Sequence, residues 1–386
     1  MIRLRGRYGF ERLAHSSSRF LVLSVSLSVS VSVSVFACSS DRVTGTNSGP
    51  PEVPPLLPAP STDQSLIPLK TVAAERGIRL GAAVPVPEEF GDAFTKFRNV
   101  LVREFSMLTP EDAMKHEFVH PARNTYSFTA GDLLVDFAKA HGMAVRGHTL
   151  VWHLQLADWL TSGTWSAAEG QTLLEDHVKT VVAHYRGKLA AWDVVNEPLC
   201  FDGSLCSGFW RDLVGPDYIE RALRAAHAAD GNVPLFINES AIEGFGQKSD
   251  SMYALAKRLL DKGVPLNGIG FQAHFVAGLV PPKSQIAANF ARFAALGLKI
   301  QITELDVRVP LPPSQADVEQ QVQDYRTVVG ACIETAACNA IVTWGVGEPD
   351  SWITYAYPGF GEALMFDSAY RAKPAYQAVH QLFLGG

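Results

Sequence analysis

A chain of 386 residues, 47% of them hydrophobic and 19% charged, is long enough to bury one large core or two modest ones. The formal net charge is −6 at pH 7 and the body of the chain carries no basic cluster, which argues against a nucleic-acid-binding protein. A neutral or weakly charged partner is expected instead.

The N-terminal 38 residues have the features of an export signal. A basic start leads into the apolar run "FLVLSVSLSVSVSVSVFAC", which ends at Cys38. The stretch "VFAC" is similar to the lipobox of bacterial lipoproteins, with Cys38 as the lipidated first residue, while a plain cleaved signal and a membrane span are the alternatives. Residues 39–70 are rich in Ser, Pro and Gly and predict a linker, so the folded domain is expected over 71–386.

The other four cysteines form two pairs of identical spacing, Cys200 with Cys206 and Cys332 with Cys338. In an exported protein, an even number of closely spaced cysteines predicts disulfide bonds. The cysteines of a zinc site lie two to four residues apart, so this wider spacing argues against zinc.

Short apolar runs alternate with helical patterns from residue 78 onward and predict eight strands. The predicted strands cover 78–84, 101–109, 143–150, 189–196, 234–239, 268–274, 298–305 and 339–345. Alternation of strands and helices implies parallel strands, and eight such units predict an α/β fold of the (β/α)8 TIM-barrel type rather than a doubly wound sheet. No glycine-rich phosphate-binding motif follows the first strand, which also argues against a dinucleotide-binding fold.

Polar and aromatic residues follow the apolar interiors of these strands, where the active site of such a barrel lies. In chain order they are Glu111, Asp112, Lys115, His148, Trp152, His153, Gln155, Asn196, Glu197, Gln272, His274, Glu304, Asp306, Trp344 and Trp352. Scattered surface polarity would not concentrate at strand ends, so we expect these residues to form a catalytic and substrate-binding cleft.

Glu197 and Glu304 end predicted strands that lie across the barrel mouth from each other, and two carboxyls facing one cleft are what glycosidic cleavage requires. One carboxyl must hold its proton near neutral pH, and the other must stay ionised with the help of donors. His274 and Asn196 are expected to supply those donors. A lone Glu at a loop start would be interpreted as a solvated surface group, but two such residues among His, Asn, Gln and Trp favour a catalytic pair.

Other chemistries and other aromatic residues receive different interpretations. The first strand ends "GAAV" without ligands, so no metal or other cofactor is expected, and no Gly-x-Ser-x-Gly motif supports a serine hydrolase. Trp192 is predicted to lie in the core. The residues expected to serve packing, structure or the surface are Trp159, Trp165, Trp210, His177, His184 and His227.

The motifs "GHTLVWHLQ", "WDVVNEP", "GIGFQAHF", "ITELDV" and "TWGVGEPDSW" closely resemble glycoside hydrolase family 10, the endo-β-1,4-xylanases. The resemblance runs from about residue 78 to 383 and includes the Cys332/Cys338 pair. It implies retaining, endo-acting hydrolysis of β-1,4-xylosidic bonds in xylan, with Glu197 as the acid/base and Glu304 as the nucleophile. A related β-1,4-glycanase of altered specificity and a non-catalytic xylan-binding barrel are the alternatives.

The resemblance also implies roles for the neighbouring residues. Asp306 would orient His274, which would hydrogen-bond Glu304, and Asn196 would bind the 2-hydroxyl of the sugar being cleaved. The residues implied to hold the glycone side are Lys115, His148, Trp152 and Gln155. The residues implied to roof the site and favour xylose over glucose are Trp344 and Trp352.

The chain departs from the family pattern at a few positions near the cleft. His116 stands where the family usually has Trp, Glu111 and Asp112 replace an acidic-amide pair, and Ser240 stands where a tyrosine is frequent. The catalytic pair is intact, so these changes concern subsite affinity and preferred chain length. We expect a monomer that contacts a membrane only through a lipid at Cys38.

Overall fold

The structure is a computed structural model that describes residues 66–85 and 94–385. The predicted export signal, Cys38 and nearly all of the predicted linker lie outside the described residues. Within the described part of the chain, no helix combines the length and the apolar composition needed to cross a membrane.

Eight parallel strands close into a barrel, which confirms the predicted (β/α)8 fold. The barrel strands are β1 (Arg79–Val84), β2 (Met107–Pro110), β3 (Ala144–Gly147), β4 (Ala191–Asn196), β5 (Leu235–Glu239), β6 (Gly268–Phe271), β8 (Lys299–Pro310) and β9 (Cys338–Thr343). Each strand pairs with the next, and β9 pairs with β1 through Ala340 and Arg79, which closes the ring. Two short strands, β7 (His274–Val276) and β10 (Phe360–Gly361), pair with the outer part of β8.

Helices surround this barrel. They are α1 (Leu69–Glu75), α2 (Thr95–Glu104), α3 (His116–Val119), α4 (Thr129–Ala140), α5 (Asp158–Thr161), α6 (Ala167–His184), α7 (Phe209–Val214), α8 (Tyr218–Ala229), α9 (Gln247–Asp261), α10 (Lys283–Ala294), α11 (Gln315–Glu334), α12 (Ile353–Ala356) and α13 (Pro374–Leu384). The two longest begin with capping boxes, Ser166 with Glu169 for α6 and Ser314 with Asp317 for α11. In each box the serine and the acid satisfy backbone N–H groups that the first helical turn leaves unpaired.

The prediction of a strand over 101–109 was wrong for most of its length. Residues Thr95–Glu104 form α2, and only Met107–Pro110 form the strand β2. Phe97, Leu101 and Glu104 recur at helical spacing and are buried on one face of α2. The helical period therefore decides the conformation, although Leu101 and Val102 also fit an apolar strand.

Glu304 does not end its strand, contrary to the prediction. Strand β8 continues to Pro310 because it pairs beyond the barrel rim with β7 and β10. The register between β8 and β9 shifts between Ile302 and Leu305, and Glu304 lies within this irregular stretch. A bulge of this kind re-aims the side chains of the strand that carries it, which places Glu304 at the mouth rather than in the barrel wall.

Apolar side chains from strands and helices fill one continuous core between the two layers. Trp192 on β4 is 1% exposed, which confirms its assignment to the core. Its indole lies directly over Gly147, where a Cβ atom would come within 2.3 Å of the Trp192 ring. Only glycine fits at this position of β3, since any side chain would displace the indole.

Both cysteine pairs are joined as disulfides. Cys200 and Cys206 close the loop that follows β4, with a Cα–Cα distance of 4.9 Å. Cys332 near the end of α11 is bonded to Cys338 at the start of β9, with a Cα–Cα distance of 5.3 Å. The first of these bonds fixes the loop that directly follows Glu197.

Candidate active site

Glu197 is the first residue after β4, and its backbone adopts a left-handed conformation with φ of 52°. This conformation is uncommon for a residue with a Cβ and costs on the order of 1–3 kcal/mol, which the surrounding structure must offset. The Glu197 N–H donates to the Asn238 carbonyl over 2.9 Å. Its carboxyl accepts hydrogen bonds from Trp152 Nε1 at 2.9 Å and from Gln272 Nε2 at 2.8 Å, so each carboxyl oxygen has one donor.

Glu304 is 5% exposed and is held by two donors of different character. Asn238 Nδ2 donates to Oε1 over 2.6 Å, and His274 Nε2 donates to Oε2 over 2.9 Å. Burial by itself would raise the pKa of Glu304, but the hydrogen bond and the positive charge of His274 outweigh it and lower that pKa below its usual value. Glu304 is therefore ionised near neutral pH.

His274 lies between two carboxylates. Its Nδ1–H donates to Asp306 Oδ2 over 2.7 Å, and Trp352 Nε1 donates to the same oxygen over 2.8 Å. Burial acts to lower the pKa of His274, but the charges and hydrogen bonds of Asp306 and Glu304 hold it well above its ordinary value. His274 is thus an imidazolium that neutralises part of the negative charge at the bottom of the cleft.

The expectation that Asn196 donates to the ionised carboxyl was wrong. Asn196 Oδ1 instead accepts hydrogen bonds from Asn238 Nδ2 at 2.8 Å and from Gln272 Nε2 at 3.4 Å. This leaves the Asn196 amide nitrogen as the end that can donate to a substrate hydroxyl. The donor to Glu304 is Asn238, which the sequence analysis did not select because it interpreted this residue as part of the fifth strand.

Three amide side chains thereby connect the two catalytic candidates. Gln272 donates both to Glu197 and to Asn196, and Asn238 donates both to Asn196 and to Glu304. Thr303 Oγ donates to Asn238 Oδ1 over 2.6 Å, which fixes which end of the Asn238 amide faces Glu304. The two carboxyls therefore belong to one buried hydrogen-bond network, in which each has its own donors.

A second polar cluster lies beyond β2 and β3 and consists of Asp112, Lys115, Glu117 and Gln155. Lys115 Nζ donates to Asp112 Oδ1 over 3.1 Å and to Gln155 Oε1 over 2.6 Å, and it lies 5.0 Å from the centre of a Trp152 ring. Gln155 Nε2 donates to Asp112 and to Glu117. This cluster joins three of the predicted substrate-binding residues to Trp152 and so to Glu197.

The Glu111 backbone connects the ends of two barrel strands. It is half-buried directly after β2, and its N–H donates to the Val84 carbonyl over 2.9 Å. The bond ties the loop carrying Asp112 to the end of β1. Glu111 thus lies beside the second polar cluster, at the end of the strand as predicted.

His148 is oriented by a residue that the sequence analysis missed. Asp193, in the wall of β4, accepts from His148 Nδ1 over 3.1 Å and pairs with the buried Arg146 guanidinium. Burial would raise the pKa of Asp193, but the adjacent Arg146 and His148 lower it, so the carboxylate stays ionised. The bond uses Nδ1 of His148 and leaves Nε2 for the cleft. Asp193 belongs to the motif "WDVVNEP", but it was not selected because its position was interpreted as the interior of a strand.

Two tryptophans lie beside this network. The Trp344 ring is 5.3 Å from the His148 ring and 6.2 Å from the His274 ring, in edge-to-face contacts. The Trp352 ring is 4.9 Å from the His274 ring. The structure thus brings both indoles to the mouth, as predicted, and Trp352 is additionally fixed by its bond to Asp306.

Glu239 is a further residue that the sequence analysis did not select. It ends β5, and its carboxyl accepts the Leu199 N–H over 2.9 Å and pairs with Lys248 Nζ at 2.8 Å. Burial raises the pKa of Glu239 to about 7, although Lys248 opposes this effect. Because Leu199 lies two residues after Glu197, Glu239 holds the backbone that positions the Glu197 carboxyl.

A groove of about 470 Å³ opens on the other side of His274. Phe201, Phe245 and Leu279 lie along it with exposed apolar surface, and Phe201 is 84% exposed. Arg308 and Glu243 add charged groups to its lining. His274, which binds Glu304, also lines this groove, so the groove begins beside one of the two carboxyls.

Comparison with known proteins places this geometry in a family. The family model described as glycosyl hydrolase family 10 matches residues 68–382. Endo-1,4-beta-xylanase B of Thermotoga neapolitana is 41% identical over 323 residues, covering 82% of this chain and 91% of that protein. An endo-1,4-beta-xylanase of Agaricus bisporus is 40% identical over 312 residues, covering 81% of this chain and 93% of that protein.

Solved structures agree with these sequence relatives. Xylanase 10B from Thermotoga maritima superposes with a TM-score of 0.81 at 39% identity, covering 83% of this chain and 98% of that chain. Xylanase 10B from Thermotoga petrophila RKU-1, solved in complex with xylobiose, gives the same TM-score at 38% identity and the same coverage of both chains. By its sequence and by its closed parallel barrel, the chain belongs to glycosyl hydrolase family 10.

Proposed function

We propose that this protein is a retaining endo-1,4-β-xylanase in which Glu304 is the nucleophile and Glu197 is the acid/base. The observation that carries the proposal is the joint placement of the two carboxyls. They share one hydrogen-bond network, yet Glu304 is held beside an imidazolium, while the donors that Glu197 has among the described residues, Trp152 and Gln272, are neutral. Retaining hydrolysis requires two carboxyls in different environments, because one attacks as an ionised nucleophile and the other carries a proton.

In the first step the Glu304 carboxylate attacks the anomeric carbon and forms an ester bond, while the glycosidic C–O bond breaks and Glu197 gives its proton to the leaving oxygen. Glu197 is then a carboxylate, for which the Trp152 and Gln272 donors are suited. In the second step Glu197 takes a proton from water, the water oxygen attacks the anomeric carbon, and the ester bond to Glu304 breaks. The sugar keeps its β configuration after these two inversions.

His274 serves the proposed nucleophile in both steps. Its positive charge keeps Glu304 ionised before attack, and it stabilises the same carboxylate when it leaves. Asn238 adds a neutral donor to the other oxygen of Glu304 and so fixes the direction of attack.

The substrate proposed is xylan or a xylo-oligosaccharide. The second polar cluster and His148 offer donors and acceptors to sugar hydroxyls on the glycone side, and the Trp344 and Trp352 rings offer apolar faces. The groove lined by Phe201 and Phe245 is the proposed path of the leaving chain. A neutral polysaccharide also fits the absence of a strong charge on the protein.

We also propose that the protein is exported and held at the outer membrane through a lipid on Cys38, with the predicted linker before α1 as the tether and a monomeric catalytic domain that begins with α1. The basic and apolar start of the chain and its two disulfides support this assignment. The test is mass analysis of the mature N-terminus, together with fractionation of wild type and Cys38→Ser. A mature protein that begins at another residue and stays soluble contradicts the anchor.

The test of function is a comparison of products from linear xylan, arabinose-decorated xylan and cellulose. We expect new reducing ends from xylan, and loss of most of that activity in Glu197→Ala and in Glu304→Ala. Efficient cleavage of cellulose with poor cleavage of xylan would favour a β-1,4-glycanase of other specificity. Tight xylan binding without hydrolysis in the wild-type protein would favour a non-catalytic barrel.

A further inference from the structure

Three histidines meet in the interior beside the second polar cluster. His116 begins α3, His120 directly follows α3, and His177 lies in the middle of α6. They are 4%, 5% and 0% exposed, and one ring nitrogen from each lies within 4.8 Å of one ring nitrogen from each of the others. We call His116, His120 and His177 the histidine cluster.

The hydrogen bonds of His120 and His177 favour a shared ligand. His177 Nε2–H donates to the Leu150 carbonyl over 3.2 Å, which leaves the Nδ1 lone pair directed into the cluster. His120 Nδ1–H donates to that nitrogen over 3.2 Å, and a bound ion would take the place of this proton. Two ligand nitrogens on one tetrahedral zinc ion, with bonds of about 2.0–2.1 Å, are separated by about 3.3 Å. The pair therefore already has the spacing of two ligands on one ion.

His116 supplies the third nitrogen and a reason for a ligand. Its Nδ1 accepts the Ala157 N–H over 3.3 Å, so in this state Nε2 carries the proton. Among the described residues no hydrogen-bond partner meets His116 Nε2, although the atom is buried. An ion bound there would move the proton to Nδ1 and give up the long contact with Ala157. Since the His120 proton likewise moves to its outer nitrogen, binding requires no net release of protons.

The backbone contact of His177 also suits a metal ligand. The carbonyl bond of His177 is the kind of outer contact that orients a metal-bound histidine.

We propose that the histidine cluster is a structural binding site for a divalent transition ion that prefers imidazole nitrogen, with Zn²⁺ as the ion to be tested. Three imidazoles fill three of the four positions of a tetrahedral ion and leave the fourth for water. His116 follows Lys115, His177 lies on α6, and Leu150 follows β3, so the ion fastens three segments around the glycone side of the cleft. The hydrogen bonds of these histidines within the described residues involve neither Glu197 nor Glu304, and the proposed role of the ion is to stabilise the fold rather than to take part in bond cleavage.

The test uses the full chain after treatment with a chelator. Titration with Zn²⁺, followed by calorimetry, is expected to give one ion per chain. The melting temperature should rise by on the order of 5 °C when free Zn²⁺ is a hundredfold above its dissociation constant. The rate of xylan hydrolysis at 25 °C should be equal with and without the ion. A chelated protein that is folded but inactive would contradict a structural role.

Variants locate the site. His120→Phe keeps a ring against Tyr126, whose centroid is 4.0 Å away, and removes a ligand. We expect it to bind Zn²⁺ at least tenfold more weakly and to lose the rise in melting temperature. His141→Phe, which changes an exposed histidine, and Glu304→Gln, which changes the cleft, should bind as wild type does. Unchanged binding in His120→Phe, or binding lost in Glu304→Gln, overturns the proposal.

A second measurement avoids any dependence on the folding of a variant. Co²⁺ added to the wild-type chain in place of Zn²⁺ should give the strong visible absorption of a tetrahedral site with nitrogen ligands, and Zn²⁺ should displace it. A weak octahedral spectrum, or no binding, would show that the histidine cluster is a hydrogen-bonded aromatic stack without an ion.

Discussion

Asn238 and Glu304 are joined by a 2.6 Å hydrogen bond from Nδ2 to Oε1. The second N–H of the same amide donates to Asn196, which also accepts from Gln272, the residue that donates to Glu197. Three amide side chains thereby connect the two proposed catalytic carboxyls. Of these three amides, Asn238 is the one that donates a hydrogen bond to Glu304, the proposed nucleophile.

Replacing Asn238 with Ala should lower kcat/KM on xylan by roughly 10- to 100-fold. A hydrogen bond to a charged group contributes about 1.5–3 kcal/mol, and Asn238 provides one of only two such bonds to Glu304 within the described residues. Steady-state kinetics on linear xylan check this prediction. Asn232→Ala, an exposed asparagine before β5, is the matched control and should retain wild-type kinetics. Equal kcat/KM in the two variants would show that the bond is dispensable.

His274→Gln should move the acid limb of the pH profile of kcat/KM to higher pH. The His274 charge and hydrogen bond lower the pKa of Glu304 against the effect of burial, so their removal lets that pKa rise. Activity requires ionised Glu304 and should therefore be lost at a higher pH than in the wild type as the medium is acidified. Profiles measured on the same xylo-oligosaccharide test this point, and an acid limb that stays in place would refute the assigned role of His274.

Glu239→Gln should remove a contribution to the free energy of unfolding that depends on pH. The pKa of Glu239 is raised to about 7 in the folded state, above an unfolded value of about 4.3. A group with a raised folded pKa contributes stability that is fully present below the unfolded pKa and is lost as pH rises through the folded pKa. The free energy of unfolding of the wild type should thus fall by a few kcal/mol relative to the variant between about pH 4 and pH 7.

Urea unfolding of both proteins across that range measures the difference. Glu319→Gln, an exposed glutamate on α11, serves as the control and should follow the wild type at every pH. Parallel curves for wild type and Glu239→Gln would mean that Glu239 titrates normally in the folded protein.

Removing the Cys200–Cys206 bond should affect catalysis as well as stability. The bond closes a short loop, so the loss of stability is ~2 kcal/mol in the chain-entropy account. Because this loop follows Glu197, Cys200→Ser/Cys206→Ser should also reduce kcat. Cys332→Ser/Cys338→Ser is the matched pair, with the same spacing but at the start of β9, and should lose stability with little change in kcat. Equal kcat values for both double variants would show that the Cys200–Cys206 bond does not influence catalysis.

The barrel and most of the cleft could be predicted from the sequence because their signals are local. Strand–helix alternation predicts parallel strands, and polar residues such as Glu197 and His148 follow apolar runs directly. The prediction of a strand over 101–109 was wrong because Leu101 and Val102 also fit an apolar strand, and the helical period becomes clear only when Phe97 and Glu104 are included.

Residues whose role depends on distant partners were missed. Asn238 and Asp193 lie in β5 and β4, and only the closed barrel brings them to Glu304 and His148. The extension of β8 past Glu304 likewise depends on β7 and β10, which are far away in the chain. His177 is 57 residues from His120, so no spacing rule could have united them in the histidine cluster.

The most direct test of the central claim is to trap the covalent intermediate. A 2-deoxy-2-fluoro xylobioside with a good leaving group slows both steps and should accumulate the glycosyl-enzyme, which proteolysis and mass spectrometry can locate. The account predicts one xylobiosyl adduct per chain, on Glu304, and no adduct in Glu304→Gln. An adduct on Glu197, or turnover of xylan with inversion at the anomeric carbon, would contradict it.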